Sequence, residues 1–210
     1  MTKRCAILGA SGHGKVVAEI AQLNGYSDVC FFDDRWPELN HIEHWPVIGN
    51  TESLLHSCTQ YDGVIIAIGN NVIRLEKQTL LTRHHAHFPT LIHPVATVSQ
   101  YATLGKGSVV MAAAVINPFA SLGHACIINT SATVDHDCCL ADGVHISPGS
   151  HLAGGVNVGE SSWVGIGANV KQLITIGHHV VVAAGATVVD NLSDGLVVMG
   201  TPAQPRNHKE

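Results

Sequence analysis

From residue 92 to residue 188 the chain places an aliphatic side chain at every sixth position. The series runs Ile92, Val98, Leu104, Val110, Ile116, Leu122, Ile128, Val134, Leu140, Ile146, Leu152, Val158, Val164, Val170, Ile176, Val182 and Val188, with no slip of phase. Two residues before most of these stands a small residue, such as Ala102, Ser108, Ala114, Ala120, Cys126, Ala132 and Cys138. The residue just after is often glycine, as at Gly105, Gly123, Gly159, Gly165 and Gly177, or Asn117, Asn129 or Asp135. A period of six fits neither a 3.6-residue helix nor an alternating hairpin. It predicts a triangular coil with one hexapeptide per side. The aliphatic points inward, the small residue packs beside it, and the residue after the aliphatic rounds the corner. Three hexads make one coil. The repeat yields five to six coils stacked about 4.8 Å apart, with hydrogen bonds from coil to coil and one continuous aliphatic core.

Residues 4–88 have another rhythm. Cys5-Ala6-Ile7-Leu8 reads as a buried strand, followed by the glycine-rich Gly9-Ala10-Ser11-Gly12-His13-Gly14-Lys15. Val16 to Leu23 reads as a helix closed by Asn24-Gly25. Val29 to Phe32 is a second strand ending in Asp33-Asp34, and Gly63 to Ile68 a third running into Gly69-Asn70. The pattern predicts an α/β, Rossmann-like βαβ domain over residues 1–88 with a parallel sheet. An all-β parallel β-helix with a C-terminal tail fills 89–210. Ligands of such sheets sit beyond the C-terminal strand ends, which here are the glycine loop, Asp33-Asp34 and Gly69.

Composition narrows the function. Hydrophobic residues are 46% of the 210 but aromatics only 5%, so Val, Ile, Leu and Ala must build the core. The formal charge of -5 carries no basic run, which argues against nucleic-acid or anionic-membrane binding. No apolar stretch approaches the roughly 20 residues of a membrane span. The N-terminus lacks a signal-peptide pattern, and the expected location is the cytoplasm. The six cysteines, Cys5, Cys30, Cys58, Cys126, Cys138 and Cys139, form no C-x-x-C pair and read as reduced packing residues. A zinc site could use His84, His85 and His87, but these fall in a polar linker with no matching cysteines, so no metal is expected.

Two motifs in the first domain mislead. Gly9 to Lys15 matches G-x-x-x-x-G-K, but Val16 replaces the magnesium-binding hydroxyl of a P-loop. G-x-G-x-x-G is also broken, because Ser11 stands at its second glycine. A glycine loop at a helix start can still bind a phosphate or sugar, and an acidic pair after the second strand can bind hydroxyls or an amine. The plainer reading is an ordinary tight turn, but loop and acidic pair would line one crevice, which favours nucleotide binding.

In the repeat, Asp135-His136-Asp137 sets a histidine between two carboxylates. Acyl transfer to an amine needs a base with a pKa near neutrality. An acidic neighbour fixes its tautomer and raises its basicity. A backbone N–H must also face the thioester oxygen. His136 and Asp137 fit the first two needs, and Gly154-Gly155 could bring an amide close.

The whole chain resembles the NeuD/PglD-like sugar acetyltransferases, nearest the nucleotide-sugar 4-amino N-acetyltransferases of di-N-acetylbacillosamine synthesis. The resemblance rests on Gly9 to Gly14, Phe32-Asp33-Asp34, Ala67 to Asn71, Ile128-Asn129-Thr130, Asp135 to Cys138, His145 to Gly149 and Gly200-Thr-Pro-Ala203. It implies a left-handed β-helix, acetyl-CoA as co-substrate and a homotrimer. Uncharged outward positions (Met111, Val115, Cys139 and Val181) agree with faces that pack against neighbouring copies. It implies His136 as general base, aided by Asp137. Ser11, Gly12, His13, Asp33, Asp34 and Gly69 would hold a nucleotide sugar, with UDP as the expected nucleotide, and Asn129 would lie near the reacting centre. His145, Gly154, Ile166 and Ala184 would line the acetyl-CoA cleft between subunits, Ala184 standing where close relatives carry glycine. Transfer would be direct, within a ternary complex.

Other readings stay open at this point. An O-acetyltransferase acting on sialic acid or another hydroxyl would share base and cofactor site. A γ-carbonic-anhydrase-like zinc enzyme would use the same helix, with His136 and His145 as two ligands. A non-catalytic scaffold would leave Asp135-His136-Asp137 without a use.

Overall fold

The computed structural model describes residues 2–206, which divide into two compact units, Met1–Pro94 and Val95–Glu210. In the first, β1 (Arg4–Leu8), α1 (Gly12–Leu23), β2 (Asp28–Phe32), the hairpin β3 (His41–Ile42) and β4 (Trp45–Pro46), α2 (Thr51–Ser57), β5 (Gly63–Ile66) and α3 (Asn71–Arg83) follow in order. The parallel sheet runs β2-β1-β5. Its strands are nearly all buried because helices cover them. The repeat rhythm is absent here, and the sequence pattern does not reveal the hairpin, α2 or α3. Their apolar positions are too sparse to announce a helix: Asn71, Arg74 and Gln78 all face inward from α3. His84, His85 and His87 lie exposed in the turn and coil that follow α3. His84 caps α3, His85 turns with φ 65°, and His87 Nδ1 lies 2.8 Å from the Asp62 carbonyl.

The second unit is a parallel β-helix of two-residue strands. One face stacks Thr97–Val98 through Thr187–Val188, the next Thr103–Leu104 through Thr175–Ile176, and the third Val109–Val110 through Val197–Met199. Register advances by one coil, so Val115 pairs with Thr133 and Thr133 with His151. Every aliphatic from Val110 to Val188 is buried. Val98 and Leu104, in the first coil, are only half-buried, and the first aliphatic of the series, Ile92, falls in the other unit. The small residues form a second buried column. Its hydroxyls are tied to neighbouring coils: Ser108 Oγ donates to the Gly123 carbonyl and accepts from Cys126 N–H, and Ser162 repeats this with Gly177 and Val180.

The corners differ from expectation. The left-handed residue lies three positions after the aliphatic, as at Phe119, Asp137, Gly155 and Leu173, not one. The glycine one position after is needed for closeness instead. A Cβ on Gly159 would lie 2.5 Å from the Gly177 carbonyl carbon of the next coil. Met111 is also corrected. It is buried within the chain, so it offers nothing to a neighbour. Cys139 is exposed and the other five cysteines are buried, with no disulfide among the described residues. Among the described residues no helix is long and apolar enough to cross a membrane, and no group of three His, Cys, Asp or Glu is placed to hold a metal ion.

Candidate active site

His136 occupies the corner between the first and second faces, just after Val134 ends its strand. Its Nδ1 lies 2.7 Å from Asp137 Oδ2. Asp137 can turn that carboxylate back because it holds the left-handed conformation, φ 59°, which aspartate tolerates better than most residues. Asp135 Oδ1 accepts from the His136 N–H at 2.8 Å and from Asn117 Nδ2 at 2.7 Å, fixing the backbone under the ring. The bond to Asp137 raises the His136 pKa above its usual value. The bonds from His136 N–H and Asn117 hold Asp135 below the carboxylate range. With Nδ1–H given to Asp137, Nε2 is left as the basic nitrogen. One coil above, a Cβ on Gly154 would lie 2.5 Å from His136 Cε1 and 2.6 Å from Nε2. Gly154 thus lies beside the imidazole of its own chain.

His145, Ile166 and Ala184 do come together. With Ser147, Pro148, Trp163, Gly165 and residues 181–183 they line an almost wholly apolar cavity of about 340 Å³. The Trp163 indole stacks on His145, centroids 5.7 Å apart and planes 5° off parallel. Its Nε1 donates to Ser147 Oγ at 2.6 Å. Asn129 Nδ2 reaches His145 Nε2 at 3.2 Å, so Asn129 belongs to this cluster. Asn129 sits at the corner between the third and first faces, a full prism side from His136. Within one chain, His136 and the cavity are therefore two separate clusters. Sequence reasoning missed Trp163 and Ser147. Trp163 faces outward at a strand position where the repeat has no rule, although its spacing of 18 from His145 puts both in one column.

In the first unit, Ser11 precedes α1 without a side-chain cap, and no acidic residue lies in the first turn. By contrast, Asn50 and Asn70 cap α2 and α3 through their side chains. The loop's glycines divide by demand. A Cβ on Gly9 would meet the Ala67 carbonyl, and one on Gly14 would meet Phe31, whereas at Gly12 and Gly69 it would meet open space. His13 Nε2 is buried and has no hydrogen-bond partner among the described residues. Burial, and then the charge of Arg74, lower its pKa to about 4, so its ring is neutral at pH 7.

The acidic pair is occupied. Asp33 accepts from Ala10 N–H at 2.8 Å and from Arg35 N–H, Nε and Nη2. Burial pushes its carboxyl up, but these bonds outweigh it and hold the pKa below normal. Asp34 accepts from Thr51 N–H at the start of α2, and Lys77 lies 3.4 Å away. Burial is again outweighed, and the Asp34 pKa is lowered.

Comparison with known proteins covers both units. Residues 4–80 match the family model described as the PglD N-terminal domain. The acetyltransferase domain of PglB from Neisseria gonorrhoeae FA1090, solved with acetyl coenzyme A, is 44% identical, with a TM-score of 0.94 over 98% of this chain and 100% of that one. PerB from Caulobacter crescentus, solved with CoA and GDP-perosamine, is 36% identical, with a TM-score of 0.93 over 99% of each chain. A UDP-N-acetylbacillosamine N-acetyltransferase of Bacillus subtilis (strain 168) is 38% identical over 115 residues, a match spanning 52% of either chain.

Proposed function

The chain belongs to the NeuD/PglD-like family of sugar acetyltransferases, and from that premise we propose that it acetylates the 4-amino group of a nucleotide-linked 4-amino-4,6-dideoxy sugar, UDP-linked by preference. Acetyl-CoA is the donor, and the solved relatives bind CoA or acetyl-CoA. The observation that carries the reading is the His136 corner, a basic nitrogen aimed past a side-chain-free residue with its opposite nitrogen tied to a carboxylate.

The amine nitrogen attacks the thioester carbonyl while its proton passes to His136 Nε2. The resulting oxyanion is met by a backbone N–H, for which Gly154 is the nearest candidate. Collapse breaks the C–S bond, and the proton on His136 leaves with the CoA thiolate. No acetyl-enzyme is needed. Burial raises the Cys138 thiol above its ordinary value, which makes it a poor nucleophile. Ser11, Gly12, His13 and Gly69 bind the nucleotide, the uncapped start of α1 facing its phosphates.

His136 and the His145–Ile166–Ala184 cavity lie on different parts of one prism. Neighbouring copies complete the site, one giving the base and the next the acetyl-CoA cleft, in a homotrimer. The test is release of free CoA thiol from acetyl-CoA with UDP-, GDP- and dTDP-4-amino-4,6-dideoxy sugars and with free sialic acid. Turnover on a 4-amino sugar, reduced about 10²- to 10⁴-fold in His136→Ala, is expected. Turnover on sialic acid alone, or equal rates in the variant, would overturn the reading.

A further inference from the structure

A carboxylate offers about four acceptor sites. Asp33 uses all of them internally: Oδ1 takes Arg35 N–H and Nε, and Oδ2 takes Ala10 N–H and Arg35 Nη2. A ligand hydroxyl or amine could bond to Asp33 only by displacing one of these donors. Three of these four bonds fix Arg35. Its Nη2 also donates to the Ala10 carbonyl at 2.7 Å, tying the guanidinium to both the end of β2 and the glycine loop. Nε and Nη2 are thus spent, while the two N–H groups of Nη1 have no acceptor among the described residues. The side chain remains 62% exposed.

We propose that Arg35, not Asp33, is the ligand-facing side chain at the end of β2, and that it holds the base of the nucleotide. This rests on the nucleotide-sugar reading above. In parallel-sheet nucleotide folds the phosphates lie at the first loop and the nucleoside at the end of the second strand. An immobilised guanidinium loses little side-chain entropy on binding, stacks on a flat ring and donates to carbonyl oxygens. It therefore favours bases with ring carbonyls (uracil, thymine or guanine) over adenine, whose corresponding edge carries an amine. Asp33 becomes a positioning residue, acting through Arg35 and the loop.

Calorimetric titration of the full chain with UDP, dTDP, GDP, ADP and inorganic pyrophosphate tests this, using wild type, Arg35→Ala and Arg35→Lys. The expected result is that wild type binds at least one carbonyl-bearing nucleotide better than ADP. Arg35→Ala should weaken that nucleotide about tenfold or more, the size of a charge-assisted hydrogen bond, narrow its lead over ADP and leave pyrophosphate unchanged. Lysine, lacking the fork and the flat face, should not restore the preference. Parallel losses for ADP and pyrophosphate, or an unchanged preference in Arg35→Ala, would overturn the inference while leaving the nucleotide reading intact. A wild type that binds no nucleoside diphosphate would overturn both.

Discussion

Gly154 stands one coil above His136, and the space where its side chain would be is filled by the imidazole. A single methyl group there would lie 2.5–2.6 Å from the ring. The side chain is 60% exposed, so the ring can swing away into solvent rather than unfold the coil. Gly154→Ala should therefore lower kcat/KM about a hundredfold, the cost of roughly 1 Å of misplacement, with little change in thermal midpoint. Steady-state kinetics alongside a melting curve checks both halves. An active variant would mean that the ring's position over Gly154 is not the reactive one.

The Asp137 carboxylate raises the His136 pKa. On the proposed mechanism His136 acts as a neutral base, so the rate should fall as pH drops through this raised value. Asp137→Asn removes the charge, and the acid limb of the kcat/KM profile should move to lower pH while the plateau falls, since the base is weaker. A limb that stays in place would assign it to another group.

His13 makes stability depend on pH in a definite window. An unfolded histidine takes up its proton near 6.5, whereas the buried ring resists down to about 4. Between these values the unfolded chain binds more protons, so stability is full above 6.5 and declines as pH falls toward 4. His136 acts in the opposite sense: its raised pKa adds stability at low pH that is lost as pH rises past it. Urea midpoints measured from about pH 7 down to about pH 4.5 should fall for wild type and fall less for His13→Gln. Equal slopes would show that His13 is not the group responsible.

Trp163, pinned by Ser147 and stacked on His145, forms one wall of the apolar cavity. Trp163→Ala should raise KM for acetyl-CoA about tenfold, the worth of a lost aromatic contact, with a smaller change in kcat. Trp163→Phe keeps the stack and should recover most of the loss. A fall in kcat alone would place the indole near the reacting atoms instead.

The β-helix is legible in the sequence because its constraint is local and recurs. Each hexad must send one aliphatic inward, so any break of phase would bury a polar group, and none occurs from Val110 to Val188. The same period places residue 154 one coil over residue 136 by spacing alone. In the first unit, β1, β2 and β5 announce themselves as apolar runs. α3 does not, because it buries Asn71, Arg74 and Gln78. What only the tertiary structure decides is which atoms are already occupied. Asp33 reads in sequence as a free acid and is saturated by Arg35 and Ala10. That Gly154 makes room for the His136 imidazole is also visible only in the fold. His136 and Asn129, seven residues apart in sequence, lie at different corners. Composition and period fix which face a residue occupies, but lone pairs and contact volumes are allotted only when separate parts of the chain close on one another.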